Sequence, residues 1–269
     1  MRAPPCGRLN MEFQIENRLK HAKPCSVAVS FASVLGLLGL WETVSATGLV
    51  SPLFLPSPTQ ILSALFAMIQ SGEITEGLAA SLWRIAWGFF LGSSAGIFVG
   101  LVTGTSSLAD RMASPIVRAL YPIPKIALLP LFILWLGIGE VSKVTIIALG
   151  VFFPVAMNTY AGVKDTDPLL LKVAASFGAG RRFLISRVIW PYALPMIFAG
   201  LRIASGTALL LLVAAEMIAA EKGIGALILH YGDLMLTDRL MAGVIVLSLL
   251  GLCFHFLLSR AEAHFVHWK

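Results

Sequence analysis

Three charged residues interrupt long apolar stretches and are the first candidates for chemistry: Arg84, Glu216 and Arg202. An ionisable group at hydrocarbon depth is costly, so it marks a pairing, a gate or a ligand contact by default. Arg84 falls about a turn and a half inside the outer end of its stretch, and Glu216 lies near the outer end of another. Their matched depths predict an ion pair, which either closes or positions an outer gate or simply pins two helices. Arg202 sits deeper, after Gly200-Leu201. Facing a solute pathway, its guanidinium would suit a carboxylate or sulfonate; turned away, it would snorkel to headgroups or cap carbonyls. Lys125, beside Pro122 and Pro124, has the same two readings.

No residues are arranged for catalysis. The histidines (His21, His230, His255, His264 and His267) and the cysteines (Cys6, Cys25 and Cys253) are scattered, without metal-ligand or disulfide spacing. His255 reads as a histidine packed between helices rather than a ligand. There is no Ser-His-Asp spacing, no phosphate-cradling glycine loop and no acidic Mg²⁺ site, so the chain is expected to be no enzyme and to bind no cofactor itself.

The most informative stretch is a polar interruption, Lys164 to Pro191, too charged to enter a bilayer. Asp167 is a good N-cap and Pro168 suits the first helical position, because the carboxylate satisfies an orphan amide and proline has none to lose. The helix that follows places Leu169, Leu170, Val173, Ala174 and Phe177 on one stripe and should stop at Gly178 in a left-handed turn. Gly180, Arg181 and Arg182 then lead into a second helical piece expected to end before Pro191. The product is a helix-turn-helix at a membrane surface, an apolar knob edged with positive charge and suited to docking.

These candidates need a membrane scaffold, and the composition supplies one. Of 269 residues, 58% are hydrophobic and 13% charged, far from soluble averages. The net charge of +6 therefore reports which loops stay inside rather than a nucleic-acid footprint. Residues 1–25 read as a basic cytoplasmic tail, with Met1 or Met11 as the start, and 26–269 as one six-span domain. The spans are expected over Ser26–Ala46, Ala79–Thr103, Leu120–Ile138, Val141–Ala161, Leu194–Ala219 and Leu240–Leu258, each about the length a hydrocarbon core requires. The basic flank and Val44-Ser45-Ala46 of the first also fit a signal peptide.

Thr47 to Leu78 contains Glu73 and Glu76 but no lysine or arginine, which marks it as external. Within it Leu55 to Thr59 is a turn and Thr59 to Gln70 an interfacial helix. Ser106 to Arg118 belongs inside, and so do Lys164, Lys172, Arg181, Arg182 and Arg187. Glu221 to Arg239 is outer and Arg260 to Lys269 an inner tail, so both termini are cytoplasmic.

Two spans carry special features. In the second, Gly88, Gly92, Gly96, Gly100 and Gly104 recur every four residues, a small-residue face that lets another helix approach closely. Tight static packing is favoured there over sliding during gating. In the third, Pro122, Pro124 and Pro130 forbid one regular helix. Broken backbone at membrane depth is tolerated where protein or a water-filled cavity satisfies it, so Pro122 and Pro124 become pathway candidates.

The polar interruption resembles the EAA loop of ATP-binding-cassette importer permeases, whose pattern is Glu-Ala-Ala, three residues, Gly, nine residues, Ile-x-Leu-Pro. Here Lys172-Val173-Ala174, Gly178 and Val188-Ile189-Trp190-Pro191 keep every spacing. Lys172 stands at the acidic position and Trp190 where Leu is usual. The resemblance extends through Ser81-Leu82-Trp83-Arg84, Tyr121-Pro122-Ile123-Pro124, Trp135 to Glu140 and Ala215-Glu216-Met217, and these look like the nitrate, sulfonate and taurine type of permease.

That resemblance implies an all-α inner-membrane permease acting as a homodimer. A cytosolic ATPase, which holds the ATP and Mg²⁺, would dock on Asp167 to Gly178, and a periplasmic or lipid-anchored solute-binding protein would dock outside. The solute expected is an organic or inorganic anion such as a sulfonate, taurine or nitrate. Importers of pyrimidine vitamin precursors or flavins are an alternative, and a proton-coupled carrier working alone, with Glu216 as its proton site, is another.

Overall fold

The computed structural model describes residues 23–267; residues 1–22 of the expected tail, with Cys6 and His21, lie outside the described residues. The chain divides into two units, one ending at Ser63 and the other Ala64–Lys269. In the first, α1 (Lys23–Ala46) is followed by a turn that leads into α2 (Pro58–Gln70), inside which the division falls. The turn is tied back to α1 because its prolines leave carbonyls without intrahelical partners. Trp41 Nε1 donates to the Pro56 carbonyl at 3.1 Å, Ser45 Oγ to the Leu55 carbonyl at 2.9 Å, and Thr59 Oγ1 to the Glu42 carboxylate at 2.7 Å.

Among the described residues the larger unit is built of helices joined by short turns. It contains α3 (Glu73–Thr105), α4 (Ser107–Leu120), a 3₁₀ turn (Lys125–Leu128), α5 (Leu129–Leu136), α6 (Glu140–Lys164), α7 (Pro168–Ser176), α8 (Arg181–Ala219), α9 (Ile224–Asp233) and α10 (Thr237–Phe265). α3 packs most extensively on α6, and α6 on α8. Their shared core is built from Ile85, Ile146, Ile147, Val151, Val155, Ala204, Ala208 and Leu212, all buried.

α3 starts at Glu73 rather than at Ala79, so the expected outer loop is shorter. Glu73 and Glu76 occupy its first turn, where carboxylates oppose the positive end of the helix dipole. The glycine face of α3 is a packing seam against α6. A Cβ at Gly88 would lie 2.5 Å from Ile147, at Gly92 2.3 Å from the Ala148 carbonyl, at Gly96 2.8 Å from the Phe152 carbonyl, at Gly100 2.5 Å from Thr159 and at Gly104 2.6 Å from Val163. The contacts advance along α6 from Ile147 to Val163, which keeps the two backbones close along their length.

The expected third span is not one helix. α4 and the Lys125–Leu136 segment meet at 90°, because Pro122 and Pro124 fix φ and offer no amide to extend α4, while Pro130 is accommodated in the first turn of α5. Among the described residues four helices (α3, α6, α8 and α10) are long and apolar enough to cross a membrane, or five if the bent pair is one span. The apolar described part of α1, Phe31–Ala46, is shorter.

A second correction concerns Pro191. The helical piece after Gly180 does not end before it; α8 runs from Arg181 to Ala219 through a π-helical turn at Ile185–Ile189. That turn closes with the Trp190 amide donating to the Ile185 carbonyl. The wider turn supplies the slack that lets Pro191, at the start of the regular α-helical part, follow without breaking the chain direction.

Candidate functional site

At the end of the larger unit expected to face outward, the structure brings Arg84 and Glu216 together. Arg84 Nη1 lies 2.7 Å from Glu216 Oε1, and the side chains are 4% and 0% exposed. Sequence reasoning missed the third member. Glu140, named only as the end of the Trp135 to Glu140 run, takes the other edge of the guanidinium in a two-pronged contact, Nε to Oε2 at 2.7 Å and Nη2 to Oε1 at 2.8 Å. Nη1 also donates to the Lys222 carbonyl at 2.6 Å. The planar five-donor fork of arginine makes this simultaneous grip possible. Lys143, itself buried, lies 3.2 Å from Glu140 and balances the second carboxylate.

Glu216 is held by three donors, two from α3 and one from α9: Arg84, the Ser81 hydroxyl at 2.7 Å and the Gly225 amide at 2.8 Å. Ser81 is oriented in turn by the Ile224 amide, which donates to its Oγ at 3.0 Å. Gly223 is extended with φ +146°, and a Cβ there would sit 2.4 Å from the Glu216 carboxyl carbon. Only glycine allows the backbone to pass so close in that conformation. α3, α6, α8 and the turn into α9 thus converge on one guanidinium. The missed residues had a faint signal: Ser81 is one turn before Arg84 on the same face, Glu140 and Lys143 have the same spacing, and Gly223-Ile224-Gly225 follows Glu216 closely.

A cleft of about 510 Å³ opens beside this cluster, walled by Trp83, Ile138, Glu140, Lys143 and Glu221. At its margin Lys222 pairs with Glu76 at 2.9 Å, both exposed, a contact worth little by itself. Farther out, the Tyr231 phenol donates to Glu73, and Arg239 lies 5.3 Å from the Tyr231 ring. Burial, and then the Glu73 carboxylate, push the Tyr231 phenol up. The arrangement is an electrostatic lock in which Arg84, Glu216, Glu140 and Lys143 pair with one another.

Deeper in α8, Arg202 has a partner on a neighbouring helix. Its Nη1 is ion-paired with Glu262 of α10, so the bare guanidinium expected for an anionic solute is already neutralised. Lys125, at the proline break, donates to the Tyr121 carbonyl, with its ammonium 4.6 Å from the centre of the Phe153 ring. Pro122 lies in the turn between α4 and the 3₁₀ segment and Pro124 caps that segment.

The Lys164 to Pro191 segment forms a helix-turn-helix. Asp167 Oδ1 accepts from the Leu169 amide at 2.8 Å, capping α7. Gly178 takes φ +79°, and the Gly178 and Ala179 amides donate to the Ala175 and Ala174 carbonyls, which closes the C-terminus. Leu169, Leu170, Val173 and Phe177 are exposed, Phe177 by 87%. Lys172, Arg181 and Arg182 are exposed around them. Ala174 borders two shallow clefts, of about 470 and 550 Å³; one reaches to Pro191 and Tyr192 and the other to Phe183.

Residues 88–267 match the family described as binding-protein-dependent transport system inner membrane component. The taurine transport system permease protein TauC of Escherichia coli is 38% identical over 258 residues, covering 93% of this chain and 94% of its own. The putative aliphatic sulfonates transport permease protein SsuC of Bacillus subtilis is 35% identical over 233 residues, covering 87% and 84%. Among solved structures, an inward-facing form of the MetNI methionine ABC transporter aligns with a TM-score of 0.56 at 21% identity, covering 73% of this chain and 95% of that one. This last likeness is one of fold.

Proposed function

The chain belongs to the family of binding-protein-dependent transport system inner membrane components, and on that premise we propose that it forms the pathway for a small sulfonate in an ATP-driven importer of the inner membrane. It is a multi-pass permease subunit of the kind that TauC and SsuC represent. The solute assignment rests on the two relatives' transport of taurine and aliphatic sulfonates; pairing of Arg202 with Glu262 leaves the solute to be chosen elsewhere, chiefly by a solute-binding protein outside.

The observation that carries the ATP-driven reading is the exposed apolar stripe of α7 beside Lys172, Arg181 and Arg182. An uncovered face of this size on a rigid, well-capped element is a docking surface, and a cytosolic ATPase holding ATP and Mg²⁺ is its partner. Nucleotide-driven movement of that ATPase shifts α7, and α8, which follows α7 after a four-residue turn, carries the displacement towards the outer lock at Glu216. Two copies of the permease enclose the pathway, with Pro122 and Pro124 shaping its wall at the break between α4 and α5.

The test is ATP-dependent uptake by vesicles carrying the permease, its ATPase and its solute-binding protein, together with thermal shift of the binding protein against alkyl sulfonates, nitrate, aminopyrimidines and flavins. A saturating ligand at a hundredfold excess over its dissociation constant stabilises that protein by about 2.7 kcal/mol. Shifts with sulfonates support the reading. Shifts with heterocycles alone overturn the solute assignment, and uptake without any ATPase overturns the importer.

A further inference from the structure

A cavity of about 400 Å³ lies at the opposite end of the unit from the outer lock, between α3, α4 and α6. Its lining changes character along α6. Ala156 and Met157 are at its deep end with Val99, whereas Tyr160, Lys164 and Asp165 form its mouth. From Ala156 to Asp165 the helix rises about 14 Å, so the cavity is apolar inside and charged at the level where α6 ends.

The charges at the mouth are not balanced in the ordinary way. Asp110 is satisfied: it takes the Ser114 hydroxyl at 2.6 Å, the Tyr160 phenol at 3.1 Å and the Lys164 ammonium at 3.0 Å. That leaves Arg118 and Asp165. Arg118 touches only the Tyr160 face, its guanidinium carbon 5.9 Å from the ring centre. Among the described residues neither Arg118 nor Asp165 has an ion-pair partner, although both line this cavity. Arg118 and Asp165 are exposed at this mouth, so each is accessible to a ligand that supplies the opposite charge while its apolar part enters the slot.

We propose that this cavity binds the headgroup of a zwitterionic phospholipid of the phosphatidylethanolamine type, its phosphate on Arg118, its ammonium on Asp165 and the start of an acyl chain along Val99, Val117 and Met157. The gradient from apolar to charged matches an amphiphile entering from the inner leaflet, and basic pockets between membrane helices on that side are where headgroups bind. An aqueous zwitterion would gain nothing from the apolar half. The placement in the inner leaflet rests on the importer reading, and the bound lipid braces α4 against α6 at the end that faces the ATPase.

The test uses the purified permease–ATPase complex, delipidated and then incubated with mixed micelles containing equal phosphatidylethanolamine, phosphatidylglycerol and phosphatidylcholine. Lipid retained through gel filtration is quantified by mass spectrometry. Phosphatidylethanolamine should be retained over each of the others by about tenfold. Arg118→Gln should reduce retention to the level of bulk lipid, and Asp165→Asn should abolish the preference over phosphatidylglycerol while a phospholipid is still retained. The melting temperature of each variant in detergent, unchanged, separates loss of a site from loss of the fold. Equal retention of the three lipids overturns the proposal, as does a preference that survives Arg118→Gln. Displacement by millimolar free phosphoethanolamine also overturns it, since the site would then take a soluble ligand. Because retention is read without transport, failure of uptake in vesicles counts against the importer and not against the lipid site.

Discussion

Arg84 cannot be exchanged with Glu216 as freely as a simple ion pair could, because Glu140 grips the same guanidinium. Either single reversal leaves like charges in a buried site and is expected to cost about 3–5 kcal/mol. The double variant, Arg84→Glu with Glu216→Arg, recovers part of the melting temperature and uptake, since Glu140 then faces a carboxylate. Adding Glu140→Gln should recover more. A double variant no better than either single one would show that the pair is not coupled. At Gly223, alanine would place a Cβ on the Glu216 carboxylate in backbone space that side chains avoid. Gly223→Ala is therefore expected to destabilise the complex by about 1–3 kcal/mol, read as a lowered melting temperature in detergent.

The α3 and α6 helices are held together by close approach of backbone to side chain rather than by large apolar residues, and the element can be tested at its tightest point. Gly92→Ala forces a Cβ to 2.3 Å from the Ala148 carbonyl and 2.8 Å from Val151; backbone cannot yield as a long side chain can, and a loss of about 1–3 kcal/mol follows. Gly206→Ala in α8, with nothing within 4 Å of the added carbon, should leave the melting temperature unchanged or raise it slightly. The docking helix α7 makes a different prediction. Ala174 borders both clefts of the helix-turn-helix, so Ala174→Phe should leave ATP hydrolysis by the complex in place while reducing uptake. Ala175, the next residue along the helix and exposed, should behave similarly when enlarged. Hydrolysis and uptake falling together in proportion would count against this surface as the coupling contact.

For the whole molecule, the outer lock and the docking helix lie at opposite ends of a helical unit, joined by the continuous length of α8. The 39 residues of α8 span about 58 Å and connect the two ends, with a π turn at Ile185–Ile189 near the α7 end. The expected consequence is that the permease in vesicles without its ATPase shows no uptake under an imposed proton gradient, a result that transport assays decide directly. Uptake driven by the gradient alone would restore Glu216 as a proton carrier, despite the three donors that now occupy it.

Much of this was written in residue types whose effects are local. Asp167 before Pro168, and Gly178 nine residues on from Leu169, define α7 because caps and left-handed turns depend on the chain within a few residues. The four-residue glycine spacing defined the packing face of α3 for the same reason, and matched depth in two apolar stretches was enough to pair Arg84 with Glu216. Tertiary structure alone decided the rest. Glu140 and Gly223 enter the lock because helices distant in sequence converge at one point, and Glu262 reaches Arg202 across 60 positions of chain. The sharp bend at Tyr121 to Pro124 and the unbroken passage through Pro191 were opposite outcomes of the same residue type. At the first, clustered prolines left no amide to continue the helix; at the second, Pro191 followed a widened π turn that absorbed it.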